Sequence, residues 1–562
     1  MTLAVLFLVG AALAGAALVR RALRGLPGGA EQLAWGTVLG WALSALCVYA
    51  AARWQGRLTH AQVVWAAALA WLAAAALSLP ELRRLRGGGW RLKITPRRHA
   101  GLALVLVVFA PVLWHLFSTH MLPREAGGVY SGGSSWYDMA LHAALASSFL
   151  YGENFPPVYT PLPPEPLHYP FVPDFQTAIL MRTGVGMSAA LVWTALPLAL
   201  ATVAIFYSAA LRVARSQRAA ALATFLFLLN GGLGFLYFFS DWRASGRTLT
   251  DFWNSNNVNY ANAWERGIHW TNLVADTMLP QRTSLYGLPL GLMVFTLFAV
   301  VWRRAGGDAR PSESRLLLAA GLMTGLLPLF HPHTYAAVVV VGLLLSALRP
   351  RRAWFAFWAP ALLLAAPRLL AVAVHAAEGG FVRLQPGWMG QGEASWPLYM
   401  LRNFGLALLL AGLAWLAAPR HWRVFYLAFA GLFALSLILM VTPNAFDNIK
   451  LMHYWHAANC VLVGSWLARL WAARRRPPLH AFALRAAVAV VVLASVASGL
   501  LALRSEARAR ARLFDDEEIA AADFARERTA PRSLFLAAPA INQPVLCLAG
   551  RPVLRGPTPW LW

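Results

Sequence analysis

Asp138 and His142, in the segment SSWYDMALHAALASSFLYG, are the first residues whose types and spacing suggest chemistry. Residues four apart share one face of a helix, so in the helix predicted for 136–150 the carboxylate and the imidazole would be neighbours. A carboxylate in this position can serve as a general base, and we take the two residues as the candidate catalytic pair. The structural alternative is an acid that stabilises the dipole at the helix start, with a hydrogen-bonded histidine below it.

A proline-rich stretch, FPPVYTPLPPEPLHYPFVPD, follows this helix. Its proline density opposes a helix and favours extended chain. Its polar members are Glu165, His168, Tyr169 and Asp174. The stretch is expected either to form a rigid cover over neighbouring helices or to contribute polar groups to a site.

Gln281 and Arg282, in DTMLPQRTSLYGLPLG, stand where an apolar run begins. An arginine at such a boundary can extend its charged end to lipid headgroups. It can also bind one specific phosphate with two parallel hydrogen bonds. Both interpretations remain open at this stage.

His331 and His333, in FHPHTY, occupy a minimal connection between two apolar runs. Pro332 makes this connection a turn, so the two imidazoles can face the same space. No carboxylate or cysteine is close in sequence, which favours a hydrogen-bonding pair over a metal site. The metal ligands of the chain stay unknown, and a divalent cation is the one cofactor left open.

The segment PNAFDNIKLMHYWH crowds ionisable and amide groups between two apolar runs. Its polar members are Asp447, Asn448, Lys450, His453 and His456. Ionisable groups near a bilayer are costly, so they are usually functional or paired. Lys450 is one of only two lysines in the chain. The segment therefore predicts either a functional site or a structural Asp447–Lys450 pair.

The composition shows which elements must position these groups. The 562 residues are 59% hydrophobic and 13% charged, whereas soluble domains carry about 25% charged residues. Apolar runs of roughly 17–25 residues recur, and in lipid such runs must be helices because their backbone groups find no other partners. We expect an all-α polytopic membrane protein of about fourteen transmembrane helices with large non-cytoplasmic loops. The predicted spans are 3–19, 33–52, 62–79, 101–117, 188–211, 219–239, 284–302, 315–330, 334–348, 354–374, 399–418, 424–442, 456–473 and 482–503.

Arginines follow every second predicted span. They cluster in 83–98 and recur after the fifth, seventh, ninth, eleventh and thirteenth spans. The positive-inside rule places these short loops in the cytoplasm, so both termini are expected to be non-cytoplasmic. The net charge of +25 thus reflects membrane orientation, and we expect the bilayer, not nucleic acid, as the partner.

The long connections all fall on the opposite, outer side. Residues 1–100 form a block of three spans, 101–503 form a core with outer loops 118–187, 240–283, 375–398 and 443–455, and 504–562 form a small α/β tail. In the tail, 515–528 is predicted as a helix and 533–538 as a strand. Long connections are usually functional or structured. The polar groups described above lie in or beside these outer segments, whereas a transporter is expected to hold its polar site near the midplane.

Residues 101–562 resemble the GT-C superfamily of multi-spanning glycosyltransferases, such as protein mannosyltransferases, aminoarabinose transferases and uncharacterised bacterial members. The resemblance rests on the acidic residue Asp138 in a large first outer loop, on helices within that loop, on many following spans and on a soluble tail. Relatives often carry paired acids in this loop, whereas Met139 follows Asp138 here.

The resemblance implies a polyprenyl-phosphate-linked sugar as donor and a glycan, lipid or protein acceptor at the outer face of a bacterial cytoplasmic (inner) membrane. Asp138 would then take the acceptor proton, and cationic groups would stabilise the departing phosphate. The residues assigned to the donor phosphate are Gln281, Arg282, His331, His333, Asp447, Asn448, Lys450 and His453.

Two other functions compete with this one. A lipid or polysaccharide transporter or flippase would need a polar path across the membrane and two similar halves, and neither is visible in the sequence. A transferase similar to O-antigen ligases would depend on arginine and histidine without an aspartate base.

Overall fold

The computed structural model describes residues 1–23, 26, 28–85, 96–304, 312–375, 382–390, 395–442, 444–472 and 477–561. For 80–85, 96–98, 375 and 445 it describes the backbone alone. Within these ranges the chain is mainly helical, which confirms the predicted all-α polytopic class.

The α-helices, in chain order, are α1 (Thr2–Leu23), α2 (Gly29–Gln55), α3 (His60–Leu85), α4 (Pro96–His120), α5 (Ser135–Tyr151), α6 (Val172–Arg182), α7 (Met187–Ala214), α8 (Gln217–Leu228), α9 (Phe235–Ser245), α10 (Leu249–Ser255), α11 (Arg282–Arg303), α12 (Glu313–Phe330), α13 (Pro332–Leu348), α14 (Phe355–His375), α15 (Trp396–Leu416), α16 (Arg420–Ile438), α17 (Ala445–Trp471), α18 (Pro478–Arg508), α19 (Asp516–Arg528) and α20 (Pro544–Cys547). The strands are β1 (Arg124–Glu125), β2 (Gly128–Ser131), β3 (Arg383–Leu384), β4 (Leu439–Met440) and β5 (Ala511–Asp515). A π-helix, Leu273–Met278, precedes α11.

Eleven of the described helices are long and apolar enough to cross a membrane: α1, α2, α3, α4, α7, α11, α12, α14, α15, α16 and α18. The other three predicted spans fall on α8, α13 and α17. α8 has 12 residues and α13 has 17, whereas spanning takes about 20 residues. α17 has 27 residues but starts with a polar turn that contains Asp447. The predicted number of fourteen is therefore not established.

The segment predicted as one span, 219–239, is not a single helix, because α8 ends at Leu228 and α9 begins only at Phe235. The side-chain carbonyl oxygen of Asn230 accepts from the backbone N–H of Leu273 at 2.7 Å, which holds this interruption against the loop 240–283. Gly232 lies so close to the neighbouring chain that a Cβ there would be 2.2 Å from the Arg402 carbonyl oxygen. Close backbone packing thus replaces the continuous helix.

The segment 443–455, predicted as an outer loop, is mostly helical. α17 already begins at Ala445, and the Asn444 side chain caps it by accepting from the Phe446 N–H at 3.0 Å. Asp447 and Lys450 consequently project from the first turns of a helix, one turn apart.

The long loop 118–187, predicted to be outer, forms an ordered cap. The predicted helix 136–150 is confirmed as α5, and all its residues from Met139 to Leu150 are buried. Burial all around the helix, instead of along one face, shows that α5 is enclosed by other elements. α5 packs against α6 of the same loop and against α20 of the tail.

The tail is joined to this cap by a small sheet. β5 pairs antiparallel with β2, with Val129 opposite Phe514, and β2 pairs with β1. α19 confirms the predicted helix, and its Asp515 side chain accepts from the Glu518 N–H at 2.9 Å. The predicted strand 533–538 is wrong: its one ladder contact is an isolated bridge between Phe535 and Val553.

Candidate active site

Asp174, His142 and Arg282 form a buried group under the cap, here called the Asp174 cluster. The Nδ1 atom of His142 lies 3.0 Å from Asp174 Oδ2, and the Nε atom of Arg282 lies 3.2 Å from Asp174 Oδ1. The backbone N–H of Arg282 donates to His142 Nε2 at 3.5 Å. A carboxylate oxygen can only accept, so Nδ1 is the donor of the hydrogen bond to Asp174.

The guanidinium of Arg282 is buried and binds groups inside the protein. Its Nη2 atom donates to the hydroxyls of Thr177 and Thr194, each at 2.7 Å, in addition to the ion pair with Asp174. Only 2% of its side chain is exposed. Arg282 therefore lies where the sequence suggested, at the start of α11, but its charge already meets a carboxylate.

The role of Asp174 was missed in the sequence, although a signal was present. Pro173 and Asp174 lie in the first turn of α6, and proline followed by an acid is typical of a helix start. The proline-rich stretch before it masked this signal. The extended part of the proline-rich stretch is held by Arg368 of α14, which donates to the carbonyl oxygens of Leu167, His168 and Tyr169.

Gln281 takes part in the same local structure as the N-cap residue of α11. Its side-chain oxygen accepts from the Ser284 hydroxyl at 3.3 Å, and its backbone N–H donates to the Thr277 carbonyl oxygen at 3.3 Å. Its described contacts therefore fix the link between the π-helix and α11.

Asp138 differs from Asp174 because its carboxylate is left without a partner. It lies in the first turn of α5 and remains partly accessible. No hydrogen bond or ion pair joins it to any residue that the structure describes. Burial raises the pKa of Asp138 to about 6, His142 and Lys450 oppose that rise, and the negative charge of Asp447 adds to it. A carboxyl group with a pKa near neutrality is suited to proton transfer.

Lys450 and Asp447 form an ion pair one turn apart on α17. The Lys450 Nζ atom lies 2.5 Å from Asp447 Oδ1, and the two side chains are 12% and 32% exposed. The predicted structural pair is thus present. It does not remove Lys450 from the site, because the ammonium group has three donors and a single carboxylate oxygen occupies one of them.

Three histidines, His331, His333 and His453, lie close enough to Lys450 for its charge to act on them. The rings of His331 and His333 have centroids 5.2 Å apart, and the Nδ1 atom of His331 lies 2.7 Å from the Thr334 hydroxyl. The Nε2 atom of His331 is buried and has no hydrogen-bond partner among the described residues; the same holds for Nδ1 of His453. Burial, then the neighbouring charges of His333 and Lys450, lower the pKa of His331 well below its usual value. His331 is therefore neutral at physiological pH.

Several of the predicted residues lie close enough to Lys450 for its charge to act on them, and this group is here called the Lys450 cluster. The charge of Lys450 acts on Asp138, His331, His333 and His453. The cluster consists of these residues with Lys450 and Asp447. Its members come from α5, from the connection between α12 and α13, and from α17, which are far apart along the chain.

Tyr169 is near members of both clusters. Burial raises its pKa well above the usual value, and the carboxylates of Asp174, Asp138 and Asp447 raise it further. Its ring centroid is 6.2 Å from that of His142. Tyr169 is therefore close to carboxylates of both clusters and carries no charge itself.

Asn448 is occupied by the backbone. Its amide nitrogen donates to the carbonyl oxygens of Ser436 and Leu439, at 3.2 and 2.9 Å, and its oxygen accepts from the Val441 N–H at 3.1 Å. These contacts fix the start of α17 against the end of α16, so that Asn448 sets the position of Lys450.

The described residues contain no group of three or more His, Cys, Asp and Glu side chains placed to hold a metal ion. The ligands of a divalent cation, which the sequence left unknown, are not identified by the described side chains.

No protein-family model and no curated protein sequence matches the chain. Among solved structures the chain is similar to ArnT from Cupriavidus metallidurans, which was crystallised bound to undecaprenyl phosphate. The two are 13% identical, the match covers 81% of this chain and 85% of that chain, and the TM-score is 0.40. A similarity of this size carries no information on the reaction.

Proposed function

We propose that this protein is a membrane glycosyltransferase that moves a sugar from a polyprenyl-phosphate donor to an acceptor at the outer face of the cytoplasmic membrane. The observation that carries the proposal is the unpartnered carboxylate of Asp138 in the same electrostatic neighbourhood as Lys450. A base for the acceptor and a cation for the donor phosphate are the two groups that such a transfer requires.

In the proposed reaction Asp138 removes the proton from an acceptor hydroxyl. The acceptor oxygen forms a bond to the anomeric carbon of the sugar, while the bond from that carbon to the phosphate oxygen breaks. The electron pair leaves with the polyprenyl phosphate, and the proton remains on the Asp138 carboxyl group. The raised pKa of Asp138 favours this uptake, because the protonated form is less costly there than in water.

Lys450 would neutralise the negative charge that grows on the departing phosphate. Two of its three donors remain after the Asp447 contact, and a fixed ammonium is stabilising where charge develops. The unpartnered Nε2 atom of His331 is the next candidate contact in this cluster. His333 and His453 complete the proposed donor-phosphate surface, with Asp447 orienting the lysine.

His142, Gln281, Arg282 and Asn448 have a different part in the proposal. Their polar groups are engaged with Asp174, with threonine or serine hydroxyls, or with backbone groups. They act as positioning residues that hold α5, α11 and α17 in register. Precise placement of reacting groups is itself a large part of catalysis.

The test is transfer by the purified protein. Polyprenyl-phosphate sugars extracted from the native host, labelled in the sugar, are incubated with host membranes that supply acceptors. We expect labelled product with the wild-type protein and a loss of about 10²–10⁴-fold with Asp138→Asn. Full transfer by a well-folded Asp138→Asn variant would exclude the assigned base.

A transporter gives the opposite pattern in a second measurement. In sealed vesicles it would move the labelled lipid-linked sugar across the bilayer without releasing the sugar from its lipid. Translocation without any transfer would overturn the proposed glycosyl transfer.

A further inference from the structure

A cavity of about 890 Å³ lies between α7, α11, α16 and α17, at the end of these helices opposite to the Lys450 cluster. Its lining is formed by parts of 206–213, 292–304, 422–429 and 454–462, with Leu26. The walls are mainly leucine, valine, alanine and aromatic side chains. A volume of this size is within the range of about 300–1,000 Å³ that is typical of small-molecule sites.

Three arginines line one end of this cavity. Arg212, Arg303 and Arg304 belong to it, and its lining contains no aspartate or glutamate. Arg212 is held in place by Glu31, whose Oε1 atom lies 3.2 Å from its Nε atom. Arg303 has no ion pair or hydrogen bond with any residue in the described part of the chain. The cavity is thus apolar along its length and cationic at its mouth.

The cationic mouth has further arginines around it. His421, at the start of α16, lies close enough to Arg215, Arg303 and Arg349 for their charges to act on it. Glu313 acts on Arg349, but its carboxylate is already paired with Arg351. Like charges repel, so such a grouping is best stabilised by an anion placed among them.

We propose that this cavity binds a phospholipid with an anionic headgroup, separate from the sugar donor. The headgroup phosphate would lie against Arg303 and Arg304, and the acyl chains would occupy the apolar walls. Arginine pairs with phosphate through two parallel hydrogen bonds, and basic pockets between transmembrane helices are recognised lipid sites. A free phosphate would leave the apolar walls empty, which is why a lipid is the better fit.

The proposed lipid comes from the arginine-rich side of the membrane. α7 and α11 end at this side, and α16 begins there with Arg420. The opposite end of the cavity reaches Tyr454, whose hydroxyl hydrogen-bonds to Thr334, the partner of His331. The lipid site therefore lies beneath the candidate active site and does not overlap with it. The proposal of a lipid site is independent of the proposed glycosyl transfer.

The probe is dioleoyl phosphatidylglycerol, added to the detergent-purified full chain and measured by native mass spectrometry. We expect one tightly bound molecule on the wild-type protein. Binding to the Arg303→Ala/Arg304→Ala variant should be at least about tenfold weaker, because the loss of one charged hydrogen bond lowers affinity by about this factor. Arg352→Ala, which removes an exposed arginine outside the cavity lining, is the matched control and should bind normally.

Two further arms make the result decisive. Ala299→Trp fills the cavity and keeps every arginine, so it should also release the lipid, provided that its thermal unfolding matches the wild type. A photoreactive acyl chain should label α11 and α16 at the cavity lining. Equal binding of dioleoyl phosphatidylcholine, uniform labelling of the outer helix surfaces, or displacement by equimolar undecaprenyl phosphate would each overturn the proposal.

Discussion

The Nε atom of Arg282 lies 3.2 Å from the Asp174 Oδ1 atom, and both side chains are almost completely buried. The pair joins the start of α11 to the first turn of α6, and through His142 it reaches α5 as well. A buried charge of this kind is stable only while its partner is present. The position of the helix that carries Asp138 therefore depends on this pair.

Removal of one partner of this pair should destabilise the protein strongly. We expect Asp174→Ala to lower the free energy of unfolding by about 3–5 kcal/mol, since it leaves a buried guanidinium without a counter-charge. Thermal unfolding in detergent, followed by tryptophan fluorescence, measures the change. Glu313→Gln is the control, because its pair with Arg351 is partly exposed and is worth about 0–1 kcal/mol. Equal effects of the two substitutions would contradict the assigned role of the pair.

α5 should be among the most protected parts of the outer loops. Its residues from Met139 to Leu150 are buried and its backbone hydrogen bonds are helical. Slow amide exchange requires such local stability. Hydrogen–deuterium exchange should show 139–150 protected for far longer than 253–258, which is mostly exposed. Rapid exchange throughout 139–150 would be incompatible with an ordered cap.

The sequence predicted what depends on local composition. Apolar length identified most of the helices, and Asp138 and Lys450, both singled out in the sequence, lie close enough in the fold for their charges to interact. It could not predict pairings between distant segments. Nothing near Arg282 indicates that Asp174 is its partner, and nothing near β2 indicates that β5 completes its sheet. The interruption of the helix at Asn230 was missed for the same reason, because the Asn230 side chain is hydrogen-bonded to a distant loop.

The orientation of the chain can be tested with single cysteines. In a variant without the three native cysteines, Arg218→Cys should be labelled only from the cytoplasm and Ala540→Cys only from outside, because arginine-rich short loops stay in the cytoplasm. Both positions are exposed. Membrane-impermeant maleimide on intact cells and on inverted vesicles makes the measurement. Labelling of Arg218→Cys on intact cells would reverse the predicted orientation.

The pH dependence of transfer should report Asp138. Its pKa of about 6 means that the base is protonated below that value, so the rate should fall about tenfold per pH unit below 6. The residual rate of Asp138→Asn should lack this acid limb. A limb that persists unchanged in the variant would assign the titration to another group.

The stability of the fold should also depend on the ionisation of Asp138, but it should fall as the pH rises, whereas the rate should increase. The folded-state pKa of Asp138 lies above the ordinary value of 3.8, so the folded state favours the protonated form. Ionisation therefore destabilises the fold as the pH rises from about 4 to 6, and this cost is fully present above 6. Asp138→Asn should raise the melting temperature at pH 8 and leave it unchanged near pH 4. An equal change at both pH values would point to altered packing instead.

Lys450 should affect both donor binding and rate. Its ammonium would meet the donor phosphate before the reaction and in the transition state, so Lys450→Ala is expected to raise KM for the polyprenyl-phosphate sugar and to lower kcat. It should also raise the pH of the acid limb, because Lys450 opposes the increase in the pKa of Asp138. Lys450→Arg keeps the charge and should recover part of both losses. Arg383→Ala, an exposed cation of another outer segment, should behave as the wild type. If Lys450→Ala lowered kcat without moving either KM or the acid limb, the lysine would act through the structure of α17 and not on the donor.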